Sequence, residues 1–157
     1  MPTHISVAVY RGDPIDYAMY RHTALHFTFP DGQQSAMHVV GAPSMFDFEE
    51  AEGIDPTKVT GLAGLIYVAS VPDVIERTSI KDACVRTPVR NDREHRDWNC
   101  QNWVGEALME LVEIGCLTEE ERSAALDKMM DICLEAADED LECKMVHELR
   151  LDEGYDL

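Results

Sequence analysis

The fold is decided by two stretches of sequence, RHTALHFTFPDGQQSAMHVVG at residues 21–41 and WNCQNWVGEALMELVEIG at residues 98–115. Apolar residues in the first stretch alternate with polar or small ones, as in half-buried strands, on both sides of a Pro-Asp-Gly turn signal. This pattern predicts a β-hairpin over residues 22–41. Apolar residues in the second stretch recur at spacings of three and four, which predicts an amphipathic helix from Asn99 to near Gly115.

Further elements are predicted around these two. Alternating apolar residues indicate a strand at residues 4–10, and the apolar run at 64–71 indicates another. Residues 43–61 are rich in Pro, Gly and acidic residues and are predicted to form a loop. The segment 80–89 is ambiguous between helix and strand.

A second helix is predicted after Thr118. The sequence Thr-Glu-Glu-Glu from this residue is a capping box, in which the Thr118 hydroxyl and the Glu121 carboxylate satisfy backbone N–H groups at the helix start. The buried face of this helix is predicted to comprise Leu126, Met129, Met130, Cys133 and Ala137. Because strands come first and helices last, the predicted class is α+β, with an antiparallel sheet packed against helices.

Length and charge limit the function. The chain has 157 residues, which fits a single domain over residues 1–157. It carries 13 basic and 31 acidic residues, a net charge of −18. Residues 117–157 hold fourteen of the acids and four of the bases, and are predicted to form an acidic, solvated C-terminal helical region. Such a charge repels phosphates and anionic lipids, so we expect neutral or cationic partners, no nucleic acid and no membrane span. The oligomeric state stays open.

Cysteine usage indicates the compartment. The chain has five cysteines, and they lack the CxxC and Cys/His spacings of zinc sites. The start of the sequence has no basic segment followed by a long apolar run. We therefore expect a cytoplasmic protein with reduced thiols and no structural zinc site. The acidic run at residues 138–142 lacks the spacing and glycine of a calcium-binding EF-hand.

Cys100 is the candidate nucleophile because it lies in the first turn of the predicted helix. Asn99 is the predicted N-cap, and the unpaired backbone N–H groups of a helix start favour a thiolate and lower a thiol pKa. The alternative is a small buried apolar residue. Trp98 and Trp103 flank Cys100 and are candidates for a cleft wall or, for Trp103, the core. The other cysteines, Cys84, Cys116, Cys133 and Cys143, are predicted to be structural.

A nucleophilic thiol needs a base, and the hairpin offers three histidines. His22 and His26 are four residues apart in one strand and share a face. A two-residue turn would place His38 opposite Leu25, on the other face of the hairpin. A loop with an odd number of residues would instead pair His38 with His22 or with His26, depending on the centre of the loop.

The two stretches together resemble the permuted papain-like cysteine enzymes, which include the lecithin:retinol acyltransferase-like hydrolases and acyltransferases and the PPPDE-type desumoylating peptidases. In those families a strand reading H-x-A-I/L-x-V leads through an Asp-Gly turn into a strand with a second His. An N-C-x-x-F/W motif then opens a helix. The corresponding residues here are His22 with the following Thr-Ala-Leu, the Asp-Gly turn at 31–32, His38, and NCQNW at 99–103. The order of His before Cys is that of the permuted group.

The resemblance implies a papain-like cysteine hydrolase or acyltransferase, whose chemistry needs no metal or organic cofactor. Cys100 would be the nucleophile, His22 the general base and His38 the group that orients it, with His26 as a competing base. The substrate would be a small-molecule or peptide amide, ester or thioester, as in a thiol protease or acyltransferase. The alternative is a non-catalytic acidic binding module on the same fold, in which Cys100 is buried.

Overall fold

The computed structural model describes residues 2–12 and 15–136. Within these residues it contains an antiparallel sheet of five strands, three α-helices and three short 3-10 segments. The strands are β1 (Thr3–Tyr10), β2 (His22–Thr28), β3 (Gln34–Val40), β4 (Asp47–Glu52) and β5 (Leu62–Val71). The helices are α1 (Arg77–Arg86), α2 (Cys100–Glu113) and α3 (Glu119–Leu134), and the 3-10 segments are Ala18–Tyr20, Pro56–Lys58 and Arg93–His95. The α+β class with an antiparallel sheet is confirmed.

The sheet has the strand order β4-β3-β2-β1-β5, and every neighbouring pair is antiparallel. Alternate residues of β1 and β2, such as Val7 and its partner Leu25, are fully buried, as their period-two pattern predicted. Helix α2 lies against β2 and β3, and α3 lies against β5 and β1. Trp103 of α2 is fully buried in this core, so its assignment to the core rather than to a cleft is correct.

The hairpin between β2 and β3 closes with a three-residue loop. The Phe29 N–H donates to the Gln33 carbonyl at 2.8 Å, and the Gly32 N–H donates to the Phe29 carbonyl at 2.9 Å. Gly32 has a φ of +86°, the left-handed conformation that a three-residue loop of this kind requires and that glycine adopts without strain. The hairpin over 22–41 is confirmed, and its loop has an odd number of residues.

The register of the hairpin follows from that loop. Leu25 pairs with Met37. A two-residue turn would have placed His38 opposite Leu25, so that register is excluded. His22 and His38 share a face, as an odd loop predicts, but they occupy diagonal rather than directly opposite positions. The two pairings predicted for an odd loop, His38 directly opposite His22 or directly opposite His26, were therefore both wrong. Each differs from the observed register by one residue in the centre of the loop, which is Asp31.

Residues 43–61 are not only loop, and this prediction was wrong. Residues 47–52 form the edge strand β4, in which Phe48 is the sole large apolar residue. Acidic residues are poor strand formers, so the sequence DFEEAE carried little strand signal. The half-buried Glu50 is compensated by the Ser35 hydroxyl at 2.7 Å and the Lys81 ammonium at 2.8 Å. β4 brings Glu49 opposite His38.

The helices agree with the sequence patterns, with one exception. The ambiguous segment 80–89 is mostly helical and belongs to α1. Both predicted helices form, and the Thr118 capping box is present. Met130 was assigned to the buried face of α3, but it is 42% exposed. The predictions for Ala137, Cys143, the segment 138–142 and the acidic C-terminal region from 137 onward lie outside the described residues. None of the described helices combines the length and apolar composition needed to cross a membrane.

Candidate active site

A cavity of about 750 Å³ lies where the open end of the hairpin meets the start of α2. Cys100, His22 and His38, the three residues predicted to carry chemistry, all line it. Phe46 and Trp98 contact each other edge to face at 5.7 Å between ring centroids and also line the cavity. The fold thus brings the predicted residues together from three separate elements, next to an aromatic wall.

Cys100 is placed by the cap of α2. The Asn99 side chain accepts from the Gln101 N–H at 2.9 Å, and the Asn102 side chain accepts from the Asn99 N–H at 3.0 Å. This reciprocal pair is a capping box built from two asparagines, and it confirms Asn99 as the N-cap. Cys100 is consequently the first helical residue, 8% exposed, with its side chain at the cavity.

The pKa of the Cys100 thiol is raised rather than lowered, which corrects the expectation from the helix start. Burial is the largest influence and disfavours the thiolate. The Thr23 N–H and hydroxyl and the N–H groups of Cys100 and Gln101 oppose it. Burial also raises the thiol pKa of Cys84 to about 12 and of Cys116 and Cys133 to about 11. These three thiols are free and buried, and they do not line the cavity.

The start of α2 is tied to the segment before β2 by Gln101, which the sequence analysis did not single out. The Gln101 amide nitrogen donates to the carbonyls of Ala18 at 2.9 Å and Arg21 at 3.1 Å. The Cys100 thiol points at the same Arg21 carbonyl at 3.9 Å. Because Arg21 immediately precedes His22, these contacts hold the start of α2 next to the start of β2.

Arg21 is itself held by a part-buried ion pair. Its guanidinium binds Asp16 through two bonds of 3.0 and 2.9 Å and donates to the Ile132 carbonyl near the end of α3 at 2.7 Å. The hydrogen bond that Arg21 donates to Asp16 raises the pKa of Arg21, and the same bond lowers that of Asp16. No local sequence pattern indicates this clamp, because its partners are up to 111 residues apart.

His22 and His38 are in direct contact. His22 Nε2 and His38 Nδ1 are 2.7 Å apart, and the two rings meet edge to face at 4.9 Å between centroids. Tyr10, opposite His22 in β1, stacks on the other side of the His22 ring at 6.1 Å. Burial, with a smaller contribution from His38, lowers the pKa of His22 to about 4. At neutral pH His22 is therefore an uncharged imidazole, the form that accepts a proton.

A carboxylate completes this chain of side chains. Glu49 Oε1 of β4 lies 3.4 Å from His38 Nε2. Glu49 was missed because its strand was predicted to be loop; once β4 is recognised, its pairing with His38 follows from the register.

His26, the competing base, belongs to a different environment. Its Nε2 contacts the Gln34 side-chain oxygen at 2.9 Å and the Ile54 carbonyl at 3.2 Å. It is 6% exposed and does not line the cavity. This geometry favours His22 over His26 as the partner of Cys100.

Residues 9–118 match a family described as "Family of unknown function (DUF6540)". The chain belongs to this family. The part shared with the DUF6540 family contains Cys100, His22, His38 and Glu49, and it ends immediately before α3. No curated protein and no solved structure matches this chain.

Metal binding has no candidate in the part of the chain that the structure describes. No group of three or more His, Cys, Asp or Glu side chains there is arranged to hold a metal ion. The polar groups at the cavity include one thiol and two imidazoles that contact each other, and these groups are suited to proton transfer and nucleophilic attack.

Proposed function

We propose that this protein is a cysteine-dependent hydrolase or acyltransferase with a permuted papain-like arrangement of its site. The observation that carries the proposal is the 2.7 Å contact between His22 and His38 in the cavity that Cys100 also lines. A nucleophilic thiol requires a base and a third group that orients the base. The resemblance of the two sequence stretches to permuted papain-like enzymes assigns these same three residues to those roles.

The reaction begins from a neutral thiol and a neutral imidazole. As Cys100 Sγ bonds to the carbonyl carbon of an amide, ester or thioester, its proton passes to His22. The tetrahedral intermediate then collapses, the bond to the leaving group breaks, and the leaving group takes the proton from His22. A water molecule or an acceptor hydroxyl or amine attacks the resulting thioester, gives its proton to His22, and releases Cys100, which regains that proton.

Backbone N–H groups at the start of α2 are suited to stabilise the oxyanion of the tetrahedral intermediate. Each such donor typically contributes about 3 kcal/mol to transition-state stabilisation. A resting neutral pair fits the raised pKa of Cys100 and the pKa of about 4 for His22. With both groups neutral at rest, the thiol proton passes to His22 as the bond from Sγ to the carbonyl carbon forms, rather than in an earlier step.

The cavity suits a substrate with an apolar group beside the reacting carbonyl. Met19, Phe46 and Trp98 are among its lining residues. Trp98 is held in place by a 2.7 Å bond from its Nε1 to Glu106, which is also paired with Arg90 at 2.7 Å. The net charge of −18 favours a neutral or cationic substrate. The chemistry needs reduced thiols, as in the cytoplasm.

A non-catalytic binding module is the competing function, and the burial of Cys100 to 8% exposure is the observation in its favour. To separate the two, the protein is incubated with p-nitrophenyl acetate and p-nitrophenyl butyrate, and the acyl group is located by peptide mass spectrometry. We expect acylation at Cys100 and release of p-nitrophenol. Cys100→Ala should abolish both, and the matched variant Cys116→Ala should retain both. If folded protein is not acylated at Cys100 by either ester, the binding module is the better account.

A further inference from the structure

The hydrogen bonds of His22 and His38 restrict which ring nitrogen of each histidine can carry a hydrogen. A neutral imidazole carries its hydrogen on one nitrogen and accepts on the other. The bond between His22 Nε2 and His38 Nδ1 at 2.7 Å needs one donor and one acceptor, and two neutral arrangements satisfy it. In one, His22 donates from Nε2 and its Nδ1 is a free acceptor. In the other, His38 donates, and the hydrogen of His22 is on Nδ1.

Only the first arrangement allows base catalysis on Cys100. His22 Nε2 is occupied by His38, so Nδ1 is the nitrogen left to receive a proton, and within the described residues it has no hydrogen-bond partner. If Nδ1 already carries the hydrogen, His22 cannot accept the proton of the thiol. The pair of histidines alone does not choose between the arrangements, because each ring can donate or accept.

Glu49 makes the choice. Its Oε1 faces His38 Nε2 at 3.4 Å across the β3–β4 pair. An ionised carboxylate only accepts hydrogen bonds, so His38 Nε2 must carry the hydrogen. In a neutral His38, Nδ1 then accepts from His22 Nε2, and the lone pair of His22 Nδ1 is left free.

We propose that Glu49 is a positioning residue that sets the tautomers of His38 and His22, and so makes His22 Nδ1 the proton acceptor. The proposal rests on the proposed function for its consequence, but the tautomers are a property of the resting protein. The Glu49 carboxylate is half-exposed and lies on the edge strand β4, outside the core. Replacing Glu49 should therefore leave the fold intact.

Long-range ¹H–¹⁵N correlation spectra of the uniformly labelled full chain at pH 7 report which nitrogen of each histidine is protonated. In the wild type we expect His22 and His38 both protonated on Nε2 and bare on Nδ1. Glu49→Ala should give a mixture of tautomers, and Glu49→Lys, which offers only donors, should move the hydrogen of His22 to Nδ1. Asp47→Lys is the matched control, since it makes the same charge change two residues away on β4 and should retain the wild-type tautomers.

The rate of acetyl transfer from p-nitrophenyl acetate to Cys100 is measured on the same variants. We expect Glu49→Lys to lower it about tenfold or more, as losing an orienting partner or its tautomer does elsewhere, and Asp47→Lys to leave it unchanged. Wild-type protein with His22 protonated on Nδ1, or wild-type tautomers in both Glu49 variants, overturns the proposal. The expected tautomers in a protein that is not acylated would support the role of Glu49 in ordering the histidines and contradict the proposed function.

Discussion

His22 and His26 lie four residues apart on the same strand and the same face, yet their surroundings are opposite. His26 contacts the side chain of Gln34 and the carbonyl of Ile54, and it does not line the cavity that holds Cys100. His22 contacts a second imidazole and borders the cavity that holds Cys100. The two positions hold the same residue type on the same face of β2. The neighbours supplied by other strands therefore decide which histidine can act as a base.

The largest difference is expected in the acylation rate. His22→Ala should slow acetyl transfer to Cys100 by about 10²- to 10⁴-fold, the usual contribution of a general base. His26→Ala should leave the rate near that of the wild type. It should instead destabilise the fold by about 1–3 kcal/mol, because it leaves Gln34 and Ile54 without their partner. p-Nitrophenol release and thermal melts measure both, and a slow His26→Ala with a normal His22→Ala would reverse the assignment of the base.

His38 should have the next largest effect. His38→Ala removes the group that orients His22, and we expect the acylation rate to fall about 10- to 100-fold, as for other orienting partners. The melting temperature should change little, because His38 borders the cavity rather than the core. An unchanged rate in this variant would show that His22 needs no third group.

The comparison of the histidines also bears on how much of the site was predictable. The alternation of apolar residues such as Leu25 and Phe27, together with the Pro-Asp-Gly turn, was enough to predict the hairpin. It also placed all three candidate histidines on the strands of that hairpin. The register of the hairpin could not be predicted in the same way, because it depends on Gly32 adopting a left-handed conformation in a three-residue loop. That register places His38 diagonal to His22 on the same face of the sheet, where the two rings are in contact.

The remaining parts of the site have no local sequence signal. Glu49 lies on an edge strand whose acidic sequence is stabilised by Ser35 and Lys81, both distant in the chain. Gln101 and Arg21 act through backbone carbonyls that the fold brings to them. The raised pKa of Cys100 depends on how deeply α2 is packed, whereas the sequence shows only that the thiol is at a helix start.

Stability should depend on pH through both histidines. Burial lowers the pKa of His22 to about 4 and also lowers that of His26, so below about pH 6.5 the unfolded chain binds protons that the folded chain does not. The contribution of the two neutral histidines to the free energy of unfolding is complete above pH 6.5, and it is lost as the pH falls towards 4. For His22 the loss amounts to up to about 3 kcal/mol. Urea unfolding at pH 7 and pH 4.5 should show it, and His22→Ala should reduce the difference between the two pH values.

The smallest expected effect concerns thiol selectivity. Iodoacetamide at pH 7.5 should label Cys100 before Cys84, Cys116 and Cys133, because only Cys100 borders the cavity among these four. The preference should be modest, since the thiolate of Cys100 is itself disfavoured by burial. Peptide mapping after brief labelling measures the order, and labelling of Cys84 or Cys133 ahead of Cys100 in folded protein would contradict it.

The central claim is that His38 acts on Cys100 only through His22, and a double-mutant cycle on the acylation rate tests it most directly. The rate of acetyl transfer is measured for the wild type, His22→Ala, His38→Ala and the double variant. We expect the double variant to react no more slowly than His22→Ala, because a group that orients an imidazole has no effect once that imidazole is gone. If the two reductions instead multiply, His38 acts independently of His22, and the three residues do not form one catalytic unit.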